Sequence, residues 1–329
     1  ITTINAFRMI FAMLIISVVA VSCADSSEPT AVSTSTATPV VTTTPIAVVL
    51  AREYVEIEGW SDTTSGILWA NPNGVAIDAD DNIYTTEFQG NRIRKFDPTG
   101  ELLLEWGGSG RENGKFDAPT GIAIGPEGNI FVSESGNHRI QKFTADGEWL
   151  TSFGKLGRKD GGFESVMVLA ISDDGVIYAT DWGNARINVF MTNGDVVGSL
   201  LSFSQDPGGL ASPTGIKIGP DGNLWVVDRG NNRVQKFTTD GELLGLWGEF
   251  GEEPGQFNVP TSINFDAAGN FVISEFRGHR LQQFTPDGRL ISEIAPGTFQ
   301  GPHGLAFDST GALYVADTGN HAIRKFVPE

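Results

Sequence analysis

An acidic residue recurs at one point of six related segments in this chain. The six acids are Glu87, Glu134, Asp181, Asp228, Glu275 and Asp317. A ring of carboxylates would suit a cation, because hard divalent ions take oxygen ligands. An arginine follows five residues later in five segments, at Arg92, Arg139, Arg186, Arg233 and Arg280. This spacing favours local ion pairs that fix the turn, and it predicts that Asp317, which has Ala322 at the arginine position, lacks a partner.

His303 is the other residue whose type and place suggest chemistry. It follows Pro302, and the equivalent positions of the other segments hold Asn73, Thr120, Met167, Thr214 and Thr261. An imidazole and a carboxylate at one site can hold a divalent ion and accept a proton. His303 and Asp317 are therefore the candidate catalytic and metal-binding residues.

Other chemistries find less support in the residues. The remaining histidines, His138, His279 and His321, each precede the arginine position, and we interpret them as scaffold or surface residues. The chain has no GxSxG motif, and its single cysteine, Cys23, lies outside the repeated segments. A serine or cysteine nucleophile is therefore not expected.

These residues are positioned by a repeat whose copies begin at residues 72, 119, 166, 213, 260 and 302. The clearest copy runs from Pro119 to Gly154 and reads PTGIAIGPEGNIFVSESGNHRIQKFTADGEWLTSFG. Its apolar and alternating runs, separated by glycine-containing turns, predict four short strands joined by hairpins. A repeat of this length with four strands is typical of a propeller blade. The sequence predicts an all-β, six-bladed β-propeller of four-stranded antiparallel blades.

The last copy is incomplete, because the chain has no strand after Arg324-Lys325-Phe326 that could form the outer edge of a sheet. The segment from Tyr54 to Trp60 resembles the outer strand of the first copy, Glu101 to Gly107. We expect this N-terminal strand to complete the last blade and to close the ring, which removes exposed sheet edges.

The N-terminus predicts export. Arg8 precedes an apolar run from Met9 to Val21, and small residues then lead to Cys23. This pattern is typical of a secretory signal and resembles a bacterial lipoprotein signal over residues 1–23, with Cys23 lipidated. Plain secretion and an uncleaved anchor are the alternatives. Residues 24–46, rich in Ser, Thr and Pro, are expected to be a disordered tether before the propeller domain at residues 47–329.

The charge excludes one class of partner. The formal net charge is −18, and the basic residues are scattered singly instead of forming a stripe. Nucleic acid is therefore not an expected partner.

The copies resemble NHL repeats from Pro72 to Phe326. The resemblance rests on the patterns P-x-G-[IVL]-A, [DE]-x-G-N-x-R-[IV]-x-K-F and G-x-F-x-x-P, the last seen at Gly114 to Pro119. It implies a six-bladed propeller but no particular activity.

Two rings of positions are expected at one mouth of the central channel. The first is the ring that contains His303, which includes the ligand-binding candidates Asn73, Thr120, Thr214 and Thr261. The second follows the six acids and varies between copies: Phe88, Ser135, Trp182, Arg229, Phe276 and Thr318. Variation inside a strict repeat indicates either binding positions or tolerant loop tips. Phe88, Trp182, Arg229 and Phe276 are the further ligand-binding candidates, and they would suit a peptide or a glycan.

The last blade, PHGLAFDSTGALYVAD, is similar to streptogramin-lyase-like propellers. That resemblance implies a metal-assisted elimination by His303 and Asp317, although the acid is Asp instead of Glu and the second histidine is offset to His321. Peptidylglycine amidating lyases are also similar propellers, but their zinc needs three inner histidines, and this chain has one.

The function we predict is that of an exported, lipid-anchored binding or scaffold module at the cell envelope. Its expected partners are a protein, peptide or glycan and, through the anchor, a membrane. We expect a monomer without a cofactor. The alternatives are a lyase that uses His303, Asp317 and a divalent metal ion, or a hydrolase or lactonase of another propeller type.

Overall fold

The computed structural model describes residues 53–57, 60 and 68–329. The predicted signal at 1–23, the lipidation site Cys23 and the tether at 24–46 lie outside the described residues. Among the residues that are described, no helix is long and apolar enough to cross a membrane.

Six four-stranded antiparallel sheets form the fold, as predicted. The first described strand is β1 (Tyr54–Glu56). Blade 1 contains β2 (Pro72–Ile77), β3 (Ile83–Glu87), β4 (Arg92–Phe96) and β5 (Leu102–Gly107). Blade 2 contains β6 (Pro119–Ile124), β7 (Ile130–Glu134), β8 (Arg139–Phe143) and β9 (Trp149–Phe153). The short parallel pair β10 (Lys155–Leu156) and β11 (Gly162–Phe163) connects it to the next blade.

The remaining blades follow the same order. Blade 3 contains β12 (Val166–Ile171), β13 (Val176–Asp181), β14 (Arg186–Met191) and β15 (Val196–Leu200). Blade 4 contains β16 (Ile216–Ile218), β17 (Leu224–Asp228), β18 (Arg233–Phe237) and β19 (Leu243–Trp247). Blade 5 contains β20 (Pro260–Phe265), β21 (Phe271–Glu275), β22 (Arg280–Phe284) and β23 (Leu290–Ile294). Blade 6 contains β24 (Pro302–Phe307), β25 (Leu313–Asp317) and β26 (Ala322–Pro328). The 3₁₀ turns Arg229–Asn231 and Thr318–Asn320 follow β17 and β25.

The N-terminal strand closes the ring, as the incomplete last repeat predicts. β1 pairs antiparallel with β26, with Tyr54 opposite Pro328 and Glu56 opposite Phe326. The Glu56 carboxylate also accepts hydrogen bonds from Arg324, at 2.7 Å from Nε. The first strand of each blade lies next to the first strand of its neighbours, and β24 lies next to β2. The blades therefore form a closed ring around a central channel.

The hydrophobic core lies between the blades. Each cluster of buried side chains joins residues of two neighbouring sheets; Phe131 of blade 2 and Ile177 of blade 3 share one cluster. One position of the repeat, which precedes the first strand of each blade, holds a large apolar residue that is buried in every copy: Trp69, Phe116, Phe163, Leu210, Phe257 and Phe299. Burial of large apolar side chains between sheets is the main stabilising term of such a fold.

Hydroxyl groups hold the blades together at the channel. The Thr86 hydroxyl in blade 1 donates to the carbonyl of Thr120 in blade 2 at 2.7 Å. The Thr180 hydroxyl donates in the same way to the carbonyl of Thr214 at 2.6 Å. Thr318 of blade 6 donates to the carbonyl of Pro72 in blade 1 at 2.6 Å. These bonds fix the start of each inner strand, and the channel mouth is built from those starts.

Candidate functional site

The six recurring acids are buried structural groups. All six carboxylates are fully buried. The five predicted arginine partners bind them, with nitrogen–oxygen distances of 3.0, 2.6, 3.4, 2.7 and 2.7 Å in chain order. Each carboxylate also accepts a backbone N–H from the connection between blades; Glu134 accepts from Asp117 at 3.0 Å. The prediction of local ion pairs is confirmed, and these pairs fix the loops around the mouth.

The expectation that Asp317 lacks a partner was wrong. Its Oδ2 atom lies 3.1 Å from Nη1 of Arg324, a residue on the neighbouring strand β26. Asn320 and the backbone N–H of Gln300 also donate to Asp317, both at 2.8 Å. In blades 2 to 5 an amide occupies the position of Arg324; Gln141 there donates to Glu134 at 2.8 Å. The arginine is therefore displaced by two residues and not lost.

The three histidines interpreted as scaffold precede the arginine position and have left-handed backbone, with φ of 57° at His138, 51° at His279 and 52° at His321. Asn91 and Asn232 occupy the same position in blades 1 and 4, and an amide side chain suits this conformation. His279 Nδ1 accepts a hydrogen bond from the backbone N–H of Gly301 at 2.9 Å, as Asn232 does from Val259 at 3.0 Å. The His279 side chain therefore supports the connection to the next blade.

Aromatic and basic side chains surround the channel mouth. Phe88 and Trp182 are exposed, at 37% and 42%. Phe276 is half-buried and meets the His303 ring edge to face, with 5.1 Å between ring centroids. Arg229 is also half-buried, and its pKa is lowered by loss of water and by the charge of Arg277. Arg229 forms no ion pair with the residues that the structure describes.

The inner ring divides into two kinds of side chain. Thr120, Thr214 and Thr261 are almost fully buried, and their hydroxyls donate to carbonyls of the next blade; Thr261 reaches Pro302 at 3.0 Å. Asn73, Met167 and His303 stay half-buried at the cavity. Asn73 and His303 are therefore available to contact a ligand, whereas the threonine hydroxyls are already hydrogen-bonded to the next blade.

His303 is neutral at physiological pH. Burial and the nearby Arg229 charge lower its pKa from 6.5 to about 4. The imidazole lines the cavity of about 60 Å³ inside the mouth, with Asn73 and Thr261. A neutral imidazole can accept or donate one hydrogen bond to a ligand in this place.

The residues do not fit a metal centre built on His303 and Asp317. Asp317 is fully buried, and its oxygens are already bound by Arg324, Asn320 and the Gln300 backbone. No group of three or more His, Cys, Asp or Glu side chains in the described part of the chain could hold a metal ion. An arginine at the carboxylate disfavours a divalent cation there, because the two cations repel each other.

Lys217 is a residue that the sequence analysis missed. It lies on β16 and lines the channel. Blades 1, 2, 3 and 6 have alanine at its position: Ala76, Ala123, Ala170 and Ala306. The sequence did contain a signal for this residue, because Lys217 stands where the P-x-G-[IVL]-A pattern has alanine.

The fold is a six-bladed β-propeller, and the side chains around the mouth of its channel differ from blade to blade. The model of the virginiamycin B lyase family matches residues 70–325, which is most of the chain. The chain therefore belongs to the virginiamycin B lyase family. This agrees with the resemblance of the last blade to streptogramin-lyase-like propellers.

Several solved structures share the fold. A catalytically inactive histidine-to-alanine variant of virginiamycin B lyase from Staphylococcus aureus with quinupristin is 23% identical, with a TM-score of 0.57, and the match covers 79% of this chain and 81% of that one. A streptogramin B lyase is 19% identical, with a TM-score of 0.59 and coverage of 84% and 97%. A gluconolactonase from Xanthomonas campestris is 18% identical, with a TM-score of 0.60 and coverage of 80% and 86%. No curated protein matches.

Proposed function

We propose that this chain is a binding propeller that takes an acidic, aromatic-containing peptide at the channel mouth. One observation carries the proposal: exposed Phe88 and Trp182 share a mouth with Arg229, which has no ion pair among the described residues. Aromatic side chains and arginine are the residue types that contribute most to binding at protein interfaces. The candidate peptide side chains are therefore an aromatic ring and a carboxylate.

The charge at the mouth favours an anionic ligand over a neutral glycan. Arg229 is desolvated, and Arg277 is close enough to lower its pKa further. A carboxylate placed between the half-buried Arg229 and the exposed Arg277 would form charge-assisted hydrogen bonds and relieve the repulsion between the two guanidinium groups. A neutral sugar would leave both charges without a partner.

The family contains lyases, so a lyase remains the alternative. His303 supports it, because it stands where the resemblance of the last blade to streptogramin-lyase-like propellers places the catalytic histidine, although the acid and the second histidine depart from that pattern. The ligation of Asp317 by Arg324 opposes a metal-assisted route through this pair. Similar folds belong to a lyase and to a gluconolactonase, which shows that the fold alone does not choose a reaction.

The setting we propose is the cell envelope. The support is the sequence pattern that ends at Cys23, which resembles a lipoprotein signal, and the Ser/Thr/Pro-rich stretch that follows it. A binding module exported to the cell envelope would meet peptides outside the cytoplasm. Labelling of the expressed protein with a fatty-acid probe, compared with the Cys23→Ala variant, tests the lipid anchor.

The binding test uses a set of short peptides with one aromatic and one acidic residue, and the same peptides with the acid replaced by its amide. Titration of the purified protein is followed by the fluorescence of its tryptophans. We expect the acidic peptides to bind more tightly, and Trp182→Ala and Arg229→Ala each to weaken binding about five- to thirtyfold, which corresponds to ~1–2 kcal/mol.

The matched control is Trp149→Ala. Trp149 is 39% exposed, similar to Trp182, but it lies on the outer strand of blade 2. Binding that falls equally in the Trp149 and Trp182 variants, or that ignores the acid in the peptide, would contradict the proposed site.

A further inference from the structure

Two cavities make up the central channel in the described part of the chain, and the first strands of the blades line both. Lys217 is the one charged side chain that lines both cavities. The cavity next to the mouth measures about 60 Å³, and a wider one of about 220 Å³ continues toward the opposite end. The alanines at the equivalent positions of four blades leave room around its side chain. The lysine thus projects into space that the repeat leaves open.

The ammonium group has no counter-charge. No described residue that lines either cavity is acidic. Lys217 forms no hydrogen bond or ion pair with the described residues, and its pKa is lowered by desolvation alone. The side chain is exposed to solvent where it projects into the open channel, and the pKa is lowered because the surrounding blades partly desolvate the charge. Lys217 is therefore a cation without a protein partner that faces the channel, and an anion that enters the channel can form a charge-assisted hydrogen bond with it.

The surroundings of Lys217 also indicate the chemistry of the uncharged part of that anion. Asn264 holds the equivalent position in blade 5, but its amide is already bound to the Leu305 carbonyl at 3.0 Å and to the Phe265 N–H at 2.8 Å. Beyond the lysine, the wider cavity is lined by polar groups of the inner strands and by partly buried, uncharged side chains that also pack against the inter-blade cores: Ile77, Ile124, Ile171, Ile218 and Phe307. A polar head near Lys217 and an apolar chain toward these residues would match this lining.

We propose that the central channel binds a short-chain carboxylic acid, whose carboxylate pairs with Lys217 and whose hydrocarbon chain occupies the aliphatic end of the channel. The carboxylate gives Lys217 the counter-charge that the protein does not supply. The hydrocarbon chain leaves water for the space between the isoleucines. This site is separate from the aromatic mouth, and it does not require a peptide to bind there.

The probe for the test is hexanoate, with hexanamide as its uncharged counterpart of the same shape. Binding to the full-length protein is measured by calorimetric titration at pH 7. We expect hexanoate to bind at least about tenfold more tightly than hexanamide, because a hydrogen bond to a charged group is worth more than one to a neutral group. In Lys217→Met this preference should disappear, while the apolar stem is retained.

Lys236→Met is the matched control. Lys236 is in the same blade, but it pairs with Asp221 at 2.5 Å and lies outside the channel. This variant should bind hexanoate as the unchanged protein does. Lys217→Ala, which installs the residue of four other blades, provides a second variant if the methionine disturbs packing.

Three results would overturn the channel site: no binding of hexanoate, equal affinity for hexanoate and hexanamide, or full affinity in both folded Lys217 variants. The peptide site is tested separately, because Trp182→Ala is expected to leave hexanoate binding unchanged. Loss of hexanoate binding in Trp182→Ala with retention in Lys217→Met would place the carboxylate at the mouth instead.

Discussion

His303 shows how a place in the channel determines the charge of a side chain. In the folded protein its pKa is about 4, because burial and Arg229 both oppose its protonation. In the unfolded chain a histidine titrates near 6.5. Between these two pH values the unfolded chain binds a proton that the folded protein does not bind. The contribution of His303 to stability is therefore complete above pH 6.5 and is lost as the pH falls toward 4.

We expect His303→Gln to remove this dependence. Between pH 7 and pH 4 the free energy of unfolding of the unchanged protein should fall by up to about 3 kcal/mol more than that of the variant. Urea unfolding at several pH values in this range measures it. His321→Gln is the control, because His321 is exposed and does not line the channel. Parallel pH profiles for His303→Gln and the unchanged protein would show that the His303 pKa is not lowered.

At the scale of elements, the closing segment is held by one large side chain as well as by strand pairing. Trp60 is 9% exposed and packs against Tyr314 of blade 6, with 4.9 Å between ring centroids, and against Phe96 of blade 1 at 5.8 Å. Its Nε1 atom donates to the carbonyl of Pro98 at 3.1 Å. Trp60 therefore connects the last blade to the first.

Trp60→Ala should destabilise the protein by about 3 kcal/mol or more, because it leaves a cavity between two blades. Thermal or urea unfolding measures the change. Trp149→Ala, on the exposed outer strand of blade 2, should cost well under half as much. If the two substitutions had equal effects, Trp60 would have no special part in joining the blades.

The sequence predicted the elements better than the contacts made by single side chains. Turn glycines and alternating strands recur in every copy, so the six sheets and the closing strand could be read from the repeat. The same repeat misled at Asp317, because its partner Arg324 occupies the position of a glutamine in three other blades. Alignment of the repeats shows that Ala322 replaces an arginine. It does not show that the side chain of Arg324, two residues further along, reaches the same carboxylate.

The channel was harder to predict for a similar reason. The burial of Thr120, Thr214 and Thr261 depends on carbonyls of the neighbouring blade, which lie on the order of one repeat away in sequence. Lys217 stands out only when its position is compared with the alanines of the other copies. Contacts between blades are therefore the part of the site that a single repeat does not encode.

Viewed as a whole, the molecule is strongly acidic, with a net charge of −18, but its channel and mouth carry Lys217, Arg229 and Arg277. The six recurring carboxylates do not offset these charges, because each is buried and bound by an arginine of its own blade. Anions that approach the protein are repelled by most of its surface. Selective binding of an anion thus requires the local field of the channel and should weaken at high ionic strength.

Closure of the ring makes the stability of every blade depend on the segment before residue 61. β1 supplies the fourth strand of blade 6, and hydrogen bonds continue on both sides of it: Ile57 N–H donates to the Lys325 carbonyl at 2.9 Å, and Glu329 N–H donates to the Glu53 carbonyl at 2.8 Å.

A chain that begins at residue 61 loses these bonds, Trp60 and the Glu56 partner of Arg324. It should lose at least ~3 kcal/mol, the cost of Trp60 alone. Because all blades share inter-blade cores, the loss should lower one common unfolding transition. A chain that begins at residue 47 is the control and should melt within about 2 °C of the full chain, since it keeps every repeat and the closing strand and lacks only the predicted signal and tether. Calorimetry of the three proteins decides the matter: equal melting temperatures for the chains that begin at residues 47 and 61 would mean that the first blade and the last hold together without β1.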